Sequence, residues 1–117
     1  MKLPVDIRFI GLEHSEALET TARERIARID STCDGLIGWR VTIEQSHKHQ
    51  QHGRQIAVRI DVTLVGHEVA VEHVHDEDPY VALRDAFDAI RRRIEDTVRI
   101  QRGSVKSHAH PAGEDAE

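Results

Sequence analysis

The segment from Gln55 to Leu64 constrains the fold of this chain more than any other. Apolar residues alternate there with more polar ones without a break, the apolar set being Ile56, Val58, Ile60, Val62 and Leu64. Successive side chains of a β-strand point to opposite faces, so a period of two predicts a strand with one buried face. Such a strand needs neighbours in a sheet and a second layer to cover its apolar side.

Three shorter segments show the same alternation. Val5 to Ile10 predicts a first strand, which Gly11 ends, and Trp39 to Glu44 predicts a second. The polar segment 46–53 then predicts an exposed hairpin loop before the long strand. After a tight turn at Gly66 and His67, a fourth strand is expected, with its inward side chains at Val69, Val71 and His73.

Two segments have helical spacing instead. Ser15 is a good N-cap for a helix to about Thr32, with an apolar stripe of Leu18, Ala22, Ile26, Ile29 and Cys33. Asp78 and Pro79 open a second helix, because aspartate caps it and proline suits its first position. Its stripe predicts more than five turns and consists of Tyr80, Leu83, Phe87, Ile90, Ile94 and Val98.

The element order is therefore β-α-β-β-β-α, an α+β fold with two helices packed on one face of a four-stranded mixed sheet. The first two strands, joined across a helix, should be parallel, and the last three should form an antiparallel meander. The other face of the sheet is left to solvent. We expect one domain over residues 1–103 and a disordered polar and acidic tail over residues 104–117.

Composition excludes several classes of protein. The formal net charge is −5, which does not fit a nonspecific nucleic-acid binder, so any phosphate contact must come from a local basic surface. No apolar run is long enough for a membrane span, and the first residues lack the apolar stretch of a signal peptide. With a single cysteine, these features indicate a cytoplasmic protein.

Residues for catalysis are nearly absent. The chain has no glycine-rich phosphate loop, no nucleophile elbow and no Cys-x-x-Cys motif. Cys33 reads as a small core residue at the end of the first helix. The acidic run 76–78 is explained by the helix dipole and cap. We expect neither an enzyme nor a cofactor.

Nine histidines raise the alternative of a module that responds to metal or pH. His47, His49 and His52 lie in one polar segment, and His73 and His75 precede Asp76. Imidazole and carboxylate are suitable zinc ligands, but a polar loop does not supply a fixed tetrahedral set. Solvated histidines are the default interpretation, and no metal site is assigned.

Arginines are better organised than the net charge suggests. Arg25 and Arg28 flank the apolar stripe of the first helix. The second helix carries six arginines, Arg93 among them, and five of these fall near one stripe beside its apolar face: Arg84, Arg91, Arg92, Arg99 and Arg102. If the helices pack side by side, these side chains can converge on one surface suited to phosphate. The alternative is a solvated face with intrahelical ion pairs, such as Asp88 with Arg91 or Arg92 and Glu95 with Arg99.

The overall pattern resembles the short form of the ribosome hibernation promoting factors, the ribosome-associated translation inhibitors also described as sigma-54 modulation proteins. The resemblance runs from Val5 to about Thr97. Its main motifs are Glu16-Ala17-Leu18, Arg25-Ile26-Ala27-Arg28-Ile29, Glu77-Asp78-Pro79-Tyr80-Val81-Ala82-Leu83, and Arg92 with Ile94.

The resemblance implies a non-catalytic inhibitor of translation that occupies the messenger and transfer RNA channel of the small ribosomal subunit. Its rRNA contacts would come from Arg25, Arg28 and Arg92, with Arg91, Arg93 and Arg99 added on grounds of charge. Glu95 and Asp96 depart from relatives that carry lysines there. We expect a monomer with no DNA or membrane partner. A protein–protein adaptor that keeps the fold but has lost the ribosome is the alternative.

Overall fold

The computed structural model describes residues 4–47, 54–75 and 78–109. Six elements follow one another in the predicted order. They are β1 (Val5–Ile10), α1 (Glu16–Asp30), β2 (Leu36–His47), β3 (Arg54–Leu64), β4 (His67–His75) and α2 (Pro79–Ala109). The predicted α+β class and element order are confirmed.

The four strands form one mixed sheet in the order β1-β2-β3-β4. β1 and β2 run parallel, with Val5 opposite Trp39 and Phe9 opposite Ile43. β2, β3 and β4 form the predicted antiparallel meander, in which Ile60 lies between Val41 and Val71. This register places the alternating apolar residues, such as Ile7, Val41, Ile60 and Val71, on one face, whereas Ile10 and Val74 are exposed.

Both helices cover that apolar face. Leu18, Ala22, Ile26 and Ile29 of α1 join the core from one side, and α2 packs on β3 and β4. Trp39 and Phe87 meet at the centre with ring centroids 6.1 Å apart. Apart from Phe87, the largest fully buried side chains are isoleucine, valine and leucine.

Helix α1 begins as predicted and ends earlier. The Ser15 hydroxyl accepts a hydrogen bond from the Leu18 amide at 3.2 Å, which caps the helix. The helix ends at Asp30, two residues before the predicted end near Thr32. Ser31 and Thr32 turn their hydroxyls back onto main-chain carbonyls, which competes with helix continuation. Cys33 therefore lies beyond the helix and is half-buried against the core.

Helix α2 starts at Pro79, where the Asp78 carboxylate accepts a hydrogen bond from the Tyr80 amide at 2.9 Å. It continues to Ala109 and so passes the expected domain boundary at residue 103. The first part of the expected disordered tail is thus helical, and residues 110–117 lie outside the described residues. No helix in the described ranges is long and apolar enough to cross a membrane.

Strand β2 is longer than the sequence predicted. Ser46 and His47, expected in a loop, pair with Gln55 and Arg54 of β3. Main-chain pairing satisfies the backbone whatever the polarity of the side chains, so the hairpin extends past the apolar segment. The rest of the predicted loop, residues 48–53, lies outside the described residues.

Candidate nucleic-acid interface

The two helices run side by side in the same direction. Arg25 of α1 lies beside Asp88 of α2, and Thr32 and Cys33 lie farther along, beside Glu95 and Val98. Residue numbers therefore rise together along both helices. The surface between them is the part of the molecule where the predicted arginines were expected to meet.

A groove of about 480 Å³ opens between the helices. We call it the interhelix groove, and it is lined by three arginines (Arg25, Arg28, Arg91), two carboxylates (Asp88, Glu95), two hydroxyl residues (Ser31, Thr32) and two core residues (Ile29, Phe87). Three of the six predicted arginines therefore converge from separate helices on one site.

The core packing of α1 positions its side of the groove. Ile26 and Ile29 are buried, so Arg25 and Arg28 stand on the flank of the helix at its last turns. Arg28 lies in the final turn, where its charge complements the negative end of the helix dipole. The Arg25 side chain keeps 31% of its surface exposed.

Helix periodicity positions the other side. Asp88, Arg91 and Glu95 are spaced by three and four residues, so they share one face of α2 next to the buried Phe87 and Ile90. That face is turned toward α1. A basic surface and two acidic side chains are consequently interleaved in one groove.

The ion pairs of the groove are long. Arg25 Nη1 lies 3.9 Å from Asp88 Oδ1 across the helices, and Arg91 Nη1 lies 3.7 Å from Glu95 Oε2. All four side chains are partly exposed, and such pairs contribute little to stability. The expected pairs of Asp88 with Arg91 or Arg92 are replaced by the contact with Arg25, and Asp96 takes the place of Glu95 beside Arg99.

The remaining predicted arginines lie outside the groove lining. Arg92 and Arg93 are exposed, and neither has a carboxylate within salt-bridge distance in the described part of the chain. Arg93 follows Arg91 by two residues, a separation that places side chains on different sides of a helix. Arg99 is paired with Asp96 and borders a smaller cavity of about 340 Å³ next to Cys33.

The histidines of the metal hypothesis fall largely outside the described part of the chain. His49 and His52 lie outside the described residues, and the side chains of His47 and His75 are not described either. His73 is half-buried on the helix-covered face, as predicted. Within residues 4–47, 54–75 and 78–109, no group of three potential ligands is close enough to hold a metal.

Sequence reasoning missed the acidic and hydroxyl members of the groove. Asp88 and Glu95 were interpreted as intrahelical partners, and Ser31 and Thr32 as the end of a helix. A signal did exist, because Asp88, Arg91 and Glu95 repeat at helical spacing on the flank of the apolar stripe. What the sequence lacked was the alignment of α1 against α2.

Solved structures share this architecture. A ribosomal subunit interface protein from Coxiella burnetii superposes with a TM-score of 0.69 at 13% identity, over 83% of this chain and 99% of that one, a likeness of fold alone. The N-terminal domain of Protein Y from Thermus thermophilus superposes with a TM-score of 0.64 at 26% identity, over 79% of this chain and 98% of that one. No curated protein matches the chain.

A family match that covers nearly all the described elements shows which protein family the chain belongs to. Residues 5–102 match the family described as sigma 54 modulation protein / S30EA ribosomal protein. The chain belongs to this family. The resemblance seen in the helix motifs is therefore confirmed.

Proposed function

We propose that this protein binds the small ribosomal subunit and inhibits translation without catalysing a reaction. The observation that supports this most directly is the convergence of Arg25, Arg28 and Arg91 on one groove in a chain of this family. Arginine forks suit phosphate oxygens, and rRNA presents phosphates in fixed positions. In this proposal the protein acts in the cytoplasm as a monomer. It needs no cofactor and has no DNA or membrane partner.

Arg92 and Arg93 extend the proposed surface beyond the groove. Their exposure and lack of an acidic partner in the described residues leave both guanidinium groups ready for phosphate. Arg99 must break its ion pair with Asp96 before it can bind a phosphate, so its contribution to RNA binding is smaller. Glu95 and Asp96 lower the local positive charge, which makes the fit to a particular RNA shape more important than charge alone.

Sedimentation with ribosomes on sucrose gradients tests the proposal. The wild-type protein is expected to migrate with the small subunit or the whole ribosome. The triple variant R25E, R28E and R92E should stay at the top of the gradient, because each reversal replaces a phosphate contact with repulsion. Circular dichroism checks that the variant is folded.

A matched control is available on the opposite face of the sheet. Arg8, Arg40 and Arg59 are exposed there, and reversing all three to glutamate makes the same change in net charge. This control should still sediment with ribosomes. Binding that survives in the helix variant places the surface elsewhere, and a wild-type protein left at the top favours the adaptor function.

A further inference from the structure

The interhelix groove contains more acceptors than a phosphate site uses. Asp88 and Glu95 line it together with three arginines. Their ion-pair distances of 3.9 Å and 3.7 Å exceed the roughly 2.7–2.9 Å of a charge-assisted hydrogen bond. Both carboxylates therefore retain acceptor capacity for a ligand.

The hydroxyl groups of the groove are acceptors too. Ser31 Oγ donates to the Arg28 carbonyl at 2.7 Å, and Thr32 Oγ1 donates to the Ile29 carbonyl at 3.1 Å. A hydroxyl has a single proton, so each oxygen can only accept from a further partner. Apart from the arginines, every side-chain polar group that lines the groove calls for N–H or O–H donors on the ligand.

Two apolar residues complete the groove lining beside the interleaved arginines and carboxylates. Ile29 and Phe87 line the groove and are otherwise buried, at 5% and 2% exposure. The ligand that matches the groove thus has an anionic part, a part rich in donors and a part of low polarity. A nucleotide combines all three.

Among nucleobases, guanine fits the carboxylates best. Its N1–H and N2–H₂ donors lie side by side and can meet both oxygens of one carboxylate. Adenine and cytosine present an acceptor nitrogen next to their single amino group, and uracil flanks its N–H with two carbonyls. A carboxylate repels these acceptors. An unstacked base that presents this edge to Asp88 or Glu95 would therefore be guanine.

Size and charge agree with a single nucleotide. The volume of about 480 Å³ lies within the range of small-molecule sites. Three arginines and two carboxylates leave one positive charge, which one backbone phosphate neutralises. A longer polyanion gains little from this groove by itself.

We propose that the interhelix groove binds one guanine nucleotide. Asp88 or Glu95 accepts hydrogen bonds from the N1–H and N2–H₂ edge, and Arg25, Arg28 and Arg91 hold the phosphate. This inference deepens the proposed function, in which the nucleotide is an unstacked guanosine of rRNA. A free guanine nucleotide offers the same chemistry, and the test separates the two sources.

Binding of short RNAs to the full chain is the decisive measurement. Fluorescence polarisation compares a single-stranded adenosine decamer with the same decamer carrying one central guanosine. The guanosine decamer should bind roughly tenfold more tightly, within the range of one bidentate base contact. Nuclear magnetic resonance titration with 5′-GMP and 5′-AMP then identifies the source. A GMP preference indicates that free nucleotide suffices, and a preference confined to the decamer indicates an RNA residue.

Variants of the groove carboxylates, compared with a control on the same helix, decide the role of Asp88 and Glu95. The double variant D88N and E95Q should lose the guanosine preference, whereas D96N, which removes a carboxylate from the same helix outside the groove lining, should keep it. Equal binding of both decamers by the wild type overturns the inference. So does a double variant that binds more tightly with an unchanged preference, because the carboxylates would then only screen the arginines.

The two proposals fail separately. A protein that sediments with ribosomes but shows no guanosine preference overturns the guanine site alone. A protein that prefers guanosine but stays at the top of the gradient overturns the ribosomal function alone.

Discussion

At the residue scale, one polar contact joins the candidate surface to the core. Trp39 is 4% exposed, and its indole N–H donates to Asp30 Oδ1 at 3.1 Å. Asp30 is the last residue of α1, directly after the turn that carries Arg28. The contact fixes the end of α1 over β2 and so helps to set the position of the groove.

Replacing Asp30 by alanine should destabilise the fold by about 1–3 kcal/mol, because it leaves a buried N–H without an acceptor. Urea unfolding followed by the fluorescence of Trp39, the single tryptophan, measures the change. Asp30→Asn is the matched control, since it removes the charge but keeps a carbonyl oxygen. Equal losses in the two variants would show that charge, not the hydrogen bond, matters at this position.

The carboxyl group of Glu19 makes the stability of the fold depend on pH. Its carboxylate accepts hydrogen bonds from His14 and Arg23, and these two contacts lower the pKa of Glu19 below its ordinary value of 4.5. A lowered pKa in the folded state stabilises the protein above the unfolded value, and that contribution is lost as the pH falls through the folded pKa.

Glu19→Gln should therefore weaken the loss of stability below about pH 4.5, measured as the change in melting temperature with pH. Glu24→Gln removes an exposed carboxylate from the same helix and serves as the control. A wild-type slope in Glu19→Gln would contradict the role of the His14 and Arg23 contacts.

At the element scale, the connection from β1 to α1 depends on a close backbone approach. Gly11 has φ +78°, and a Cβ at this position would lie 2.3 Å from the carbonyl oxygen of Gln45 in β2. Only glycine can adopt this backbone dihedral and also leave room for the Gln45 carbonyl. The chain can then reach the Ser15 cap within a few residues and begin α1 over the sheet.

Gly11→Ala is expected to cost about 1–2 kcal/mol for the left-handed backbone, and about 1–3 kcal/mol more for the clash with β2. Gly35→Ala isolates the first contribution, because Gly35 has φ +85° and open space around it. Thermal unfolding of both variants gives the comparison. Similar losses would mean that β2 moves away from the added methyl group at little cost.

The helices were predictable as elements because local rules agreed with one another. Ser15 and Asp78 cap them as expected, and their apolar stripes at three and four residues become the buried faces. Their ends were less predictable. α1 stops where Ser31 and Thr32 bind main-chain carbonyls, and α2 continues past Gly103, since one glycine costs only about 1 kcal/mol in a long helix.

At the scale of the whole molecule, a negatively charged protein carries a small positive site. The net charge of −5 opposes approach to RNA, whereas the groove and the neighbouring Arg92 and Arg93 attract it locally. Binding should consequently involve few phosphates. The complementarity of the helix pair to its partner then contributes much of the affinity.

This balance predicts a weak salt dependence for the proposed binding to ribosomes. If the one positive charge of the groove and the exposed Arg92 and Arg93 together neutralise about three phosphates, the logarithm of the binding constant should fall with a slope between about −2 and −3 against the logarithm of salt concentration. Quantitative pelleting at several salt concentrations measures the slope. A slope steeper than about −5 would mean that the paired arginines also leave their carboxylates for phosphate.

The amino-acid sequence by itself determined the elements, their order and the face that each one buries. Alternation over Gln55–Leu64 and helical spacing after Ser15 and Asp78 are local properties, so composition and period suffice to identify them. The arginine positions followed as well, because residues beside an apolar stripe must lie at the edge of a packed helix.

The tertiary structure alone decided which side chains share a site. The parallel alignment of α1 and α2 places Arg25 beside Asp88 and closes one groove around residues far apart in the chain. That alignment results from packing both helices on one twisted sheet, with Trp39 bound to Asp30 and Gly11 against β2. Such contacts depend on distances between elements, and these distances are absent from any local pattern of residues.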